Sequence, residues 1–163
     1  LPNRRLFADR LANAVARSRR TDTSLALFML DLNQFKSIND TLGHDAGDQV
    51  LKVVARNLRE QVREVDTVAR MGGDEFTLIA ADIAERDAVA QLEAVIRSAV
   101  QTPILVNGQS MMVTASVGTA VYPEDGDDVA SLLKTADQRM YRFKRSSAPE
   151  ISIDRDLVAS PPG

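Results

Sequence analysis

The chain has 163 residues, of which 44% are apolar and 26% charged, which is typical of one globular domain with a buried core. A net charge of −3 argues against a nucleic-acid partner held by bulk electrostatics. Zero cysteines exclude disulfide bonds and thiolate metal sites, and a single histidine disfavours zinc. A metal ion would therefore have oxygen ligands, which favours Mg²⁺, Mn²⁺ or Ca²⁺.

The N-terminal part predicts a helix followed by a buried strand. Asn3 is a suitable N-cap for this helix. Residues 24–30 form a continuous apolar run, which predicts a central strand that is buried on both faces and ends at Asp31. A carboxylate at the end of a buried strand needs a partner or a metal ion. Alternatively, Asp31 or Asn33 caps a helix that begins near Gln34.

Two amphipathic helices are predicted next. The first runs from Phe35 to Gly43, a typical C-terminal glycine, and the second starts near Asp45. Asn39 and Asp48 have two interpretations. They are either ordinary residues of solvated helix surfaces, or an amide and a carboxylate that together read guanine, the carboxylate accepting from N1–H and N2–H₂.

A hairpin with an acidic turn follows. The alternating residues 65–71 and the apolar residues 76–81 predict two strands, joined by glycines that tolerate positive φ. Two adjacent carboxylates, Asp74 and Glu75, are more than a turn requires. They suit a divalent cation or a metal–phosphate complex, although a solvated turn is the plainer alternative.

The remaining chain predicts a helix to about residue 100, an Asn107-Gly108 hairpin, a long strand over residues 110–122 and a final helix over residues 129–145. Gly118 within the strand suggests a bulge or a close approach. This order predicts an α/β fold with a mixed central β-sheet of about five main strands surrounded by helices. We expect one domain over residues 1–146 and a linker or tail over residues 147–163.

The run Gly72-Gly73-Asp74-Glu75-Phe76 matches the signature of the GGDEF family, the diguanylate cyclases, and the resemblance extends from the first residue to about Lys144. Leu1-Pro2-Asn3-Arg4 resembles the end of the segment that opens these domains, which indicates a truncated motif and, with the missing initial methionine, part of a longer protein. The resemblance implies the palm-like nucleotidyl-cyclase fold.

The activity it implies is condensation of two GTP molecules into cyclic di-GMP with release of two pyrophosphates, in bacterial signalling. It also implies Mg²⁺, with Mn²⁺ possible, two ions per active site, and catalysis in a homodimer with a second GGDEF domain. We expect a cytoplasmic domain, free of membrane contact because no run of about 18 apolar residues and no signal peptide occur. A membrane-anchored parent protein is compatible with this.

The resemblance also assigns roles to individual residues. Asp74 and Glu75 would be catalytic and would hold metal together with Asp31 and the carbonyl of Leu32. The remaining substrate contacts would be made by Asn33, Gln34, Phe35, Lys36 and Lys144 to the triphosphate, by Asn39 and Asp48 to guanine, and by Gly72 and Gly73 through close approach of the backbone.

Arg63 and Asp66 fit the family's Arg-x-x-Asp inhibitory site for the product, although a surface ion pair is the plainer alternative. The second arginine of that site falls near Ala94, with Arg97 one turn later. The chain departs from the family at Asn33, which replaces a frequent aspartate, and at Ser147-Ala148-Pro149, which replaces the usual Gly-basic-Asn.

Two other functions fit parts of the sequence. A catalytically weak or inactive module could bind GTP or cyclic di-GMP and signal to an attached domain; the altered segment after Lys144 leaves this alternative open. A nucleotidyl cyclase or polymerase palm acting on another base is disfavoured by the pair that reads guanine.

Overall fold

The computed structural model describes residues 3–146, so Leu1, Pro2 and the Ser147-Ala148-Pro149 departure lie outside the described residues. Within that range, five helices and six strands follow one another. Their bounds are α1 Arg4–Thr21, β1 Ser24–Leu32, α2 Phe35–Leu42, α3 His44–Gln61, β2 Thr67–Gly72, β3 Glu75–Ile83, α4 Arg86–Val100, β4 Ile104–Val106, β5 Gln109–Met111, β6 Ala115–Tyr122 and α5 Val129–Ser146.

The central sheet has the strand order β2-β3-β1-β6, and every neighbouring pair is antiparallel. The α/β fold class is confirmed, but the sheet of the described residues has four strands instead of about five and is not mixed. One reason is that the predicted strand 110–122 is interrupted at residues 112–114. Its first part, β5, pairs only with β4 in a separate two-stranded sheet.

Strand β1 lies between two hydrophobic cores, one on each face of the sheet, as its apolar run predicts. Phe28 and Leu30 face a core built with α2, α3 and α4, whereas Leu25 and Leu27 face a core built with α1 and α5. Successive side chains of a strand point to opposite faces of the sheet. Asp31 therefore lies on the α1 and α5 side, opposite to Leu30.

Two local predictions are confirmed. The side chain of Asn3 caps α1, with Oδ1 accepting from the N–H of Leu6 at 3.0 Å. Asn107 and Gly108 turn the β4–β5 hairpin with φ of 53° and 77°, the left-handed conformations that this short hairpin turn needs. None of the helices in the described range is long and apolar enough to cross a membrane.

Gly118 marks a close approach between a strand and a helix. The register between β1 and β6 runs through Gly118 without a shift, so the strand has no bulge there. A Cβ atom at this position would lie 2.0 Å from the carbonyl oxygen of Ala136 and 2.3 Å from the backbone nitrogen of Met140. The absence of a side chain allows the backbone of α5 to pack directly on β6.

We expect Gly118→Ala to destabilise the domain because the added methyl group overlaps backbone atoms, which cannot rotate away. Overpacking of this kind costs about 1–3 kcal/mol or more, measured as a lower midpoint of urea unfolding. Gly73→Ala is the matched control, since a Cβ there has no neighbour within 4 Å. Equal unfolding midpoints for the two variants would contradict the close packing of α5 on β6.

Candidate active site

The sheet brings predicted acidic residues together where β1 ends and β3 begins. Asp31 pairs in register with Glu75 on one side and with Ser116 on the other. The backbone N–H of Leu32 donates to the carbonyl oxygen of Asp74 at 3.0 Å. Adjacent strands thus hold Asp31, Asp74 and Glu75 at one edge of the sheet, although Asp31 lies more than 40 positions before the other two along the chain.

Asp31 is a buried carboxylate whose two oxygens have different surroundings. Its side chain is 11% exposed. Oδ2 accepts a hydrogen bond from Lys144 Nζ at 2.6 Å, which raises the pKa of the lysine. Oδ1 is buried and, with both carboxylates ionised, has no hydrogen-bond partner within residues 3–146. A buried oxygen of this kind is costly unless a cation or a donor meets it, so Asp31 has an open coordination position.

Asp74 shares this environment. Burial, followed by the neighbouring Asp31 carboxylate, raises the pKa of Asp74 to about 6. The raised pKa means that ionising Asp74 while Asp31 is also ionised is energetically unfavourable. A cation placed between them would remove that cost.

The donor set fits a metal ion that prefers oxygen ligands, because all the candidate side chains are carboxylates and one buried oxygen has no partner. The fit is incomplete, however. Nowhere in the described range do three acidic or histidine side chains converge into a ready cluster. The expected set of Asp31, Asp74 and Glu75 is therefore not assembled as a three-ligand site, and the ammonium of Lys144 occupies one oxygen of Asp31.

The glycines of the signature turn do not supply the positive φ that the hairpin pattern suggested. Neither Gly72 nor Gly73 has a positive φ, so the turn geometry does not require them. A Cβ on either one would meet nothing within 4 Å. Arg70 Nε donates to the carbonyl oxygen of Gly73 at 3.1 Å and fixes the turn. The glycines therefore leave a bare backbone surface beside Asp74, open to an approaching molecule.

Asn33 is held by three hydrogen bonds within the chain. Its backbone N–H donates to the carbonyl oxygen of Thr114 at 2.9 Å, its Nδ2 donates to Thr114 Oγ1 at 2.8 Å, and its Oδ1 accepts from Ser116 Oγ at 2.9 Å. Contact of Asn33 with a triphosphate stays a prediction. Neither Asn33 nor Asp31 caps α2, so the helix-cap alternative is wrong.

Helix α2 starts three residues after Leu32, without a side-chain cap. Gln34 precedes it in a left-handed conformation with φ of 56°. The ring of Phe35 is buried, and the side chain of Lys36 is exposed. An uncapped helix N-terminus offers N–H groups to an anion, so the predicted contacts of these residues with a triphosphate stay open as predictions.

Asn39 lies against α3 at the residue that precedes Asp48, because α2 packs against α3. A Cβ atom at Gly47, one residue before Asp48, would lie 1.8 Å from Asn39 Oδ1. The amide of Asn39 therefore rests directly on the backbone of α3. Sequence reasoning missed this contact, although a glycine inside an amphipathic helix was a signal that something approaches closely.

Arg63 and Asp66 form a bidentate ion pair in the loop before β2. Arg63 Nε and its terminal nitrogen donate to the two Asp66 oxygens at 3.2 and 3.0 Å, and the pKa of Arg63 is raised by this pairing. Asp66 is buried and also accepts from the N–H of Ala81, while Arg63 donates to the carbonyl oxygen of Ala81. The side chain of Arg63 is still 55% exposed, so its guanidinium can also contact a ligand.

Arg97 is engaged elsewhere. It pairs with Glu93 at 2.8 Å and stacks on the ring of Phe143, with its guanidinium carbon 4.2 Å from the ring centre. These contacts tie α4 to α5. The arginine thus has a structural explanation that does not involve the pair of Arg63 and Asp66.

Comparisons with known proteins agree with this geometry. The family model described as "Diguanylate cyclase, GGDEF domain" matches residues 1–149. The diguanylate cyclase TpbB of Pseudomonas aeruginosa is 41% identical over 148 residues, which are 90% of this chain and 34% of that protein. The chain thus spans about a third of the length of this curated relative.

Solved structures have the same fold. The GGDEF domain of TpbB has a TM-score of 0.87 and 40% identity, covering 90% of this chain and 92% of that one. The GGDEF domain of DgcB from Caulobacter crescentus, crystallised in complex with c-di-GMP, has a TM-score of 0.80 and 31% identity, covering 92% and 89%. On the family match over residues 1–149, this chain belongs to the GGDEF family.

Proposed function

We propose that this domain is a diguanylate cyclase that condenses two GTP molecules into cyclic di-GMP and releases two pyrophosphates. The observation that carries the proposal is the open oxygen of Asp31 close to Asp74. Asp74 lies on a turn whose two glycines leave the backbone uncovered. The relatives named as diguanylate cyclases support it.

Asp31, Asp74 and Glu75, with the carbonyl of Leu32, are the residues that would hold Mg²⁺ or Mn²⁺, two ions per active site. The metal would polarise the α-phosphate and lower the pKa of the attacking 3′-hydroxyl. Lys144 neutralises Asp31 through the ion pair. With its amine released from Asp31, Lys144 would be free to face the triphosphate.

The other residues bind and orient GTP. Asn39 and Asp48 read guanine from α2 and α3. The start of α2, at Gln34, Phe35 and Lys36, has no side-chain cap and receives the triphosphate, because the positive end of the helix dipole attracts anions. The open backbone at Gly72 and Gly73 lets the nucleotide approach the two acids.

The chemistry requires two domains. Each new phosphodiester forms when a 3′-oxygen attacks an α-phosphorus and pyrophosphate leaves, and the cyclic product contains two such bonds. One domain presents one 3′-hydroxyl and one α-phosphate, so two copies must face each other across a two-fold axis. We place this homodimer in the cytoplasm, where GTP is available.

The product would inhibit the enzyme at Arg63 and Asp66. The arginine fork is already oriented by the buried Asp66 and is more than half exposed, which suits it to a phosphate of cyclic di-GMP. Because the arginine is already held in place before the product binds, binding would cost little side-chain conformational entropy.

A second candidate is a module that binds GTP or cyclic di-GMP without catalysis. It is favoured by one observation: Asp31 is paired with Lys144, and no three-ligand cluster exists within residues 3–146. The two candidates differ in turnover, which the first experiment below measures.

The main test is formation of cyclic di-GMP by the purified domain. At high protein concentration with GTP and Mg²⁺, we expect product by chromatography, and we expect Asp74→Asn to lower the rate by more than about 100-fold because a metal ligand is lost. Asp137→Asn, at an exposed carboxylate of α5, is the matched control and should keep full activity.

Thermal unfolding of each variant shows whether the fold is intact. Retained activity in the Asp74→Asn variant would remove Asp74 from the metal site. If the wild-type domain makes no product, even when two copies are joined by a flexible linker, the binding module becomes the better function.

The pKa of Asp74 predicts a pH-dependent response to Mg²⁺. Since the folded value of about 6 lies above the ordinary 3.8, the folded chain binds more protons between these values, and its free energy of unfolding falls as the pH rises through that window. A divalent cation binds the ionised form and offsets the loss. We expect Mg²⁺ to raise the melting temperature more at about pH 7.5 than at about pH 5.

Asp74→Asn should shrink the difference between the two pH values, because the substituted side chain no longer titrates. Measurements by differential scanning fluorimetry, with and without Mg²⁺, give the comparison. A shift of equal size at both pH values in the wild type would show that ionisation of Asp74 is not linked to the cation.

Arg63→Ala should relieve product inhibition. Loss of charge-assisted hydrogen bonds to the product would raise its half-inhibitory concentration by about 10–100-fold. Arg59→Ala is the control, since Arg59 is an exposed arginine at the end of α3. An inhibition curve shared by wild type and the Arg63→Ala variant would leave the ion pair with Asp66 as a purely structural contact.

A further inference from the structure

Gly47 is a buried glycine inside α3, where glycine is unfavourable because it has more backbone freedom to lose than any other residue. Its φ is not positive, so the backbone conformation is one that alanine adopts readily. The preceding residue, Ala46, is equally buried and does carry a Cβ. The reason for a glycine at this position must therefore lie in a neighbour.

The neighbour is the side chain of Asn39. A Cβ at Gly47 would lie 1.8 Å from Asn39 Oδ1 and 2.9 Å from Asn39 Cγ, and 3.1 Å from Cζ of Phe35. The first two distances are too short for any real contact, so the amide of Asn39 occupies the space of the missing side chain. Phe35 is buried in the core and closes the other side of that space.

This contact brings Asn39 against α3 at the residue that precedes Asp48. Asp48 directly follows Gly47 and is exposed, whereas Asn39 is half-buried. The amide of one helix thus lies against the backbone of the other, one residue before the carboxylate. Two polar groups that read the edge of one base must be held at a fixed separation, and the bare backbone at Gly47 sets how closely α2 and α3 bring them together.

We propose that Gly47 is a specificity-determining positioning residue, whose missing side chain lets the Asn39 amide lie against the backbone of α3, one residue before Asp48, for recognition of guanine. The inference rests on the proposed function, in which these two residues bind the base. In the Gly47→Ala variant, the new methyl group displaces the Asn39 amide by more than an ångström. The guanine contact of Asn39 is then lost although Asn39 itself is present.

The test compares affinities for 3′-deoxy-GTP and 3′-deoxy-ATP, which lack the attacking hydroxyl and do not react. We expect Gly47→Ala to weaken binding of the guanine nucleotide by about 10-fold and to change binding of the adenine nucleotide by less than about 2-fold. Asn39→Ala should have the same effect. Gln49→Ala, an exposed position of the same helix, is the control and should keep the preference for guanine.

The double variant gives the sharpest result. If Gly47 acts through Asn39, adding Gly47→Ala to Asn39→Ala causes no further loss of guanine affinity. Thermal unfolding provides a readout without nucleotide. In the Asn39→Ala background the overlap is gone, so Gly47→Ala should raise the melting temperature, as alanine does in a helix, and it should raise it less or lower it in the wild-type background.

The inference is overturned if the Gly47→Ala variant keeps the preference for guanine, or if the two losses of affinity multiply in the double variant. Either result leaves the proposed function intact, because cyclic di-GMP formation by the wild type is measured separately. A wild-type domain that does not distinguish the two nucleotides overturns the proposed recognition of guanine, and the inference with it.

Discussion

The burial of Asp31 is the constraint on which the site depends. A carboxylate at the end of a strand that is packed on both faces has to find positive charge, and here Lys144 supplies it from the last turn of α5. That lysine reaches Asp31 because α5 packs against β6, where Gly118 removes the side chain that would separate them. The packing of α5 on β6 thus determines the electrostatics of the acidic edge by bringing Lys144 to Asp31, 113 positions away in sequence.

Glycine has three different roles in this domain, and the residue type alone does not distinguish them. Gly108 supplies a left-handed conformation in a two-residue turn. Gly118 and Gly47 instead make room for a neighbouring backbone and a neighbouring side chain. In the signature turn, the glycines have ordinary backbone angles and leave open space next to Asp74. Under the proposed function, this open backbone is the surface that the nucleotide approaches.

Much of the fold was predictable because its signals are local. Apolar periodicity predicted the helices, and a continuous apolar run predicted β1. Asn3 predicted the cap of α1, and Asn107-Gly108 predicted the turn between β4 and β5. The strand count was not predictable, since the break at residues 112–114 depends on pairing with distant strands. In the site, the candidate acids could be named but their surroundings could not. Asn33 is a clear case: its partner Thr114 lies 81 positions away, so no local pattern shows that its amide is already used.

The charges at the acidic edge also link the two ligands of the proposed reaction. Asp31 and Asp74 repel each other when both are ionised, by roughly 4 kcal/mol for charges about 4 Å apart at an effective dielectric constant near 20. One ammonium, from Lys144, relieves part of this repulsion. A dication at the open Oδ1 of Asp31 would relieve more, and it would weaken the attraction that holds Lys144 on Oδ2. A triphosphate offers the lysine a new partner, so under the proposed function the metal and GTP each favour binding of the other.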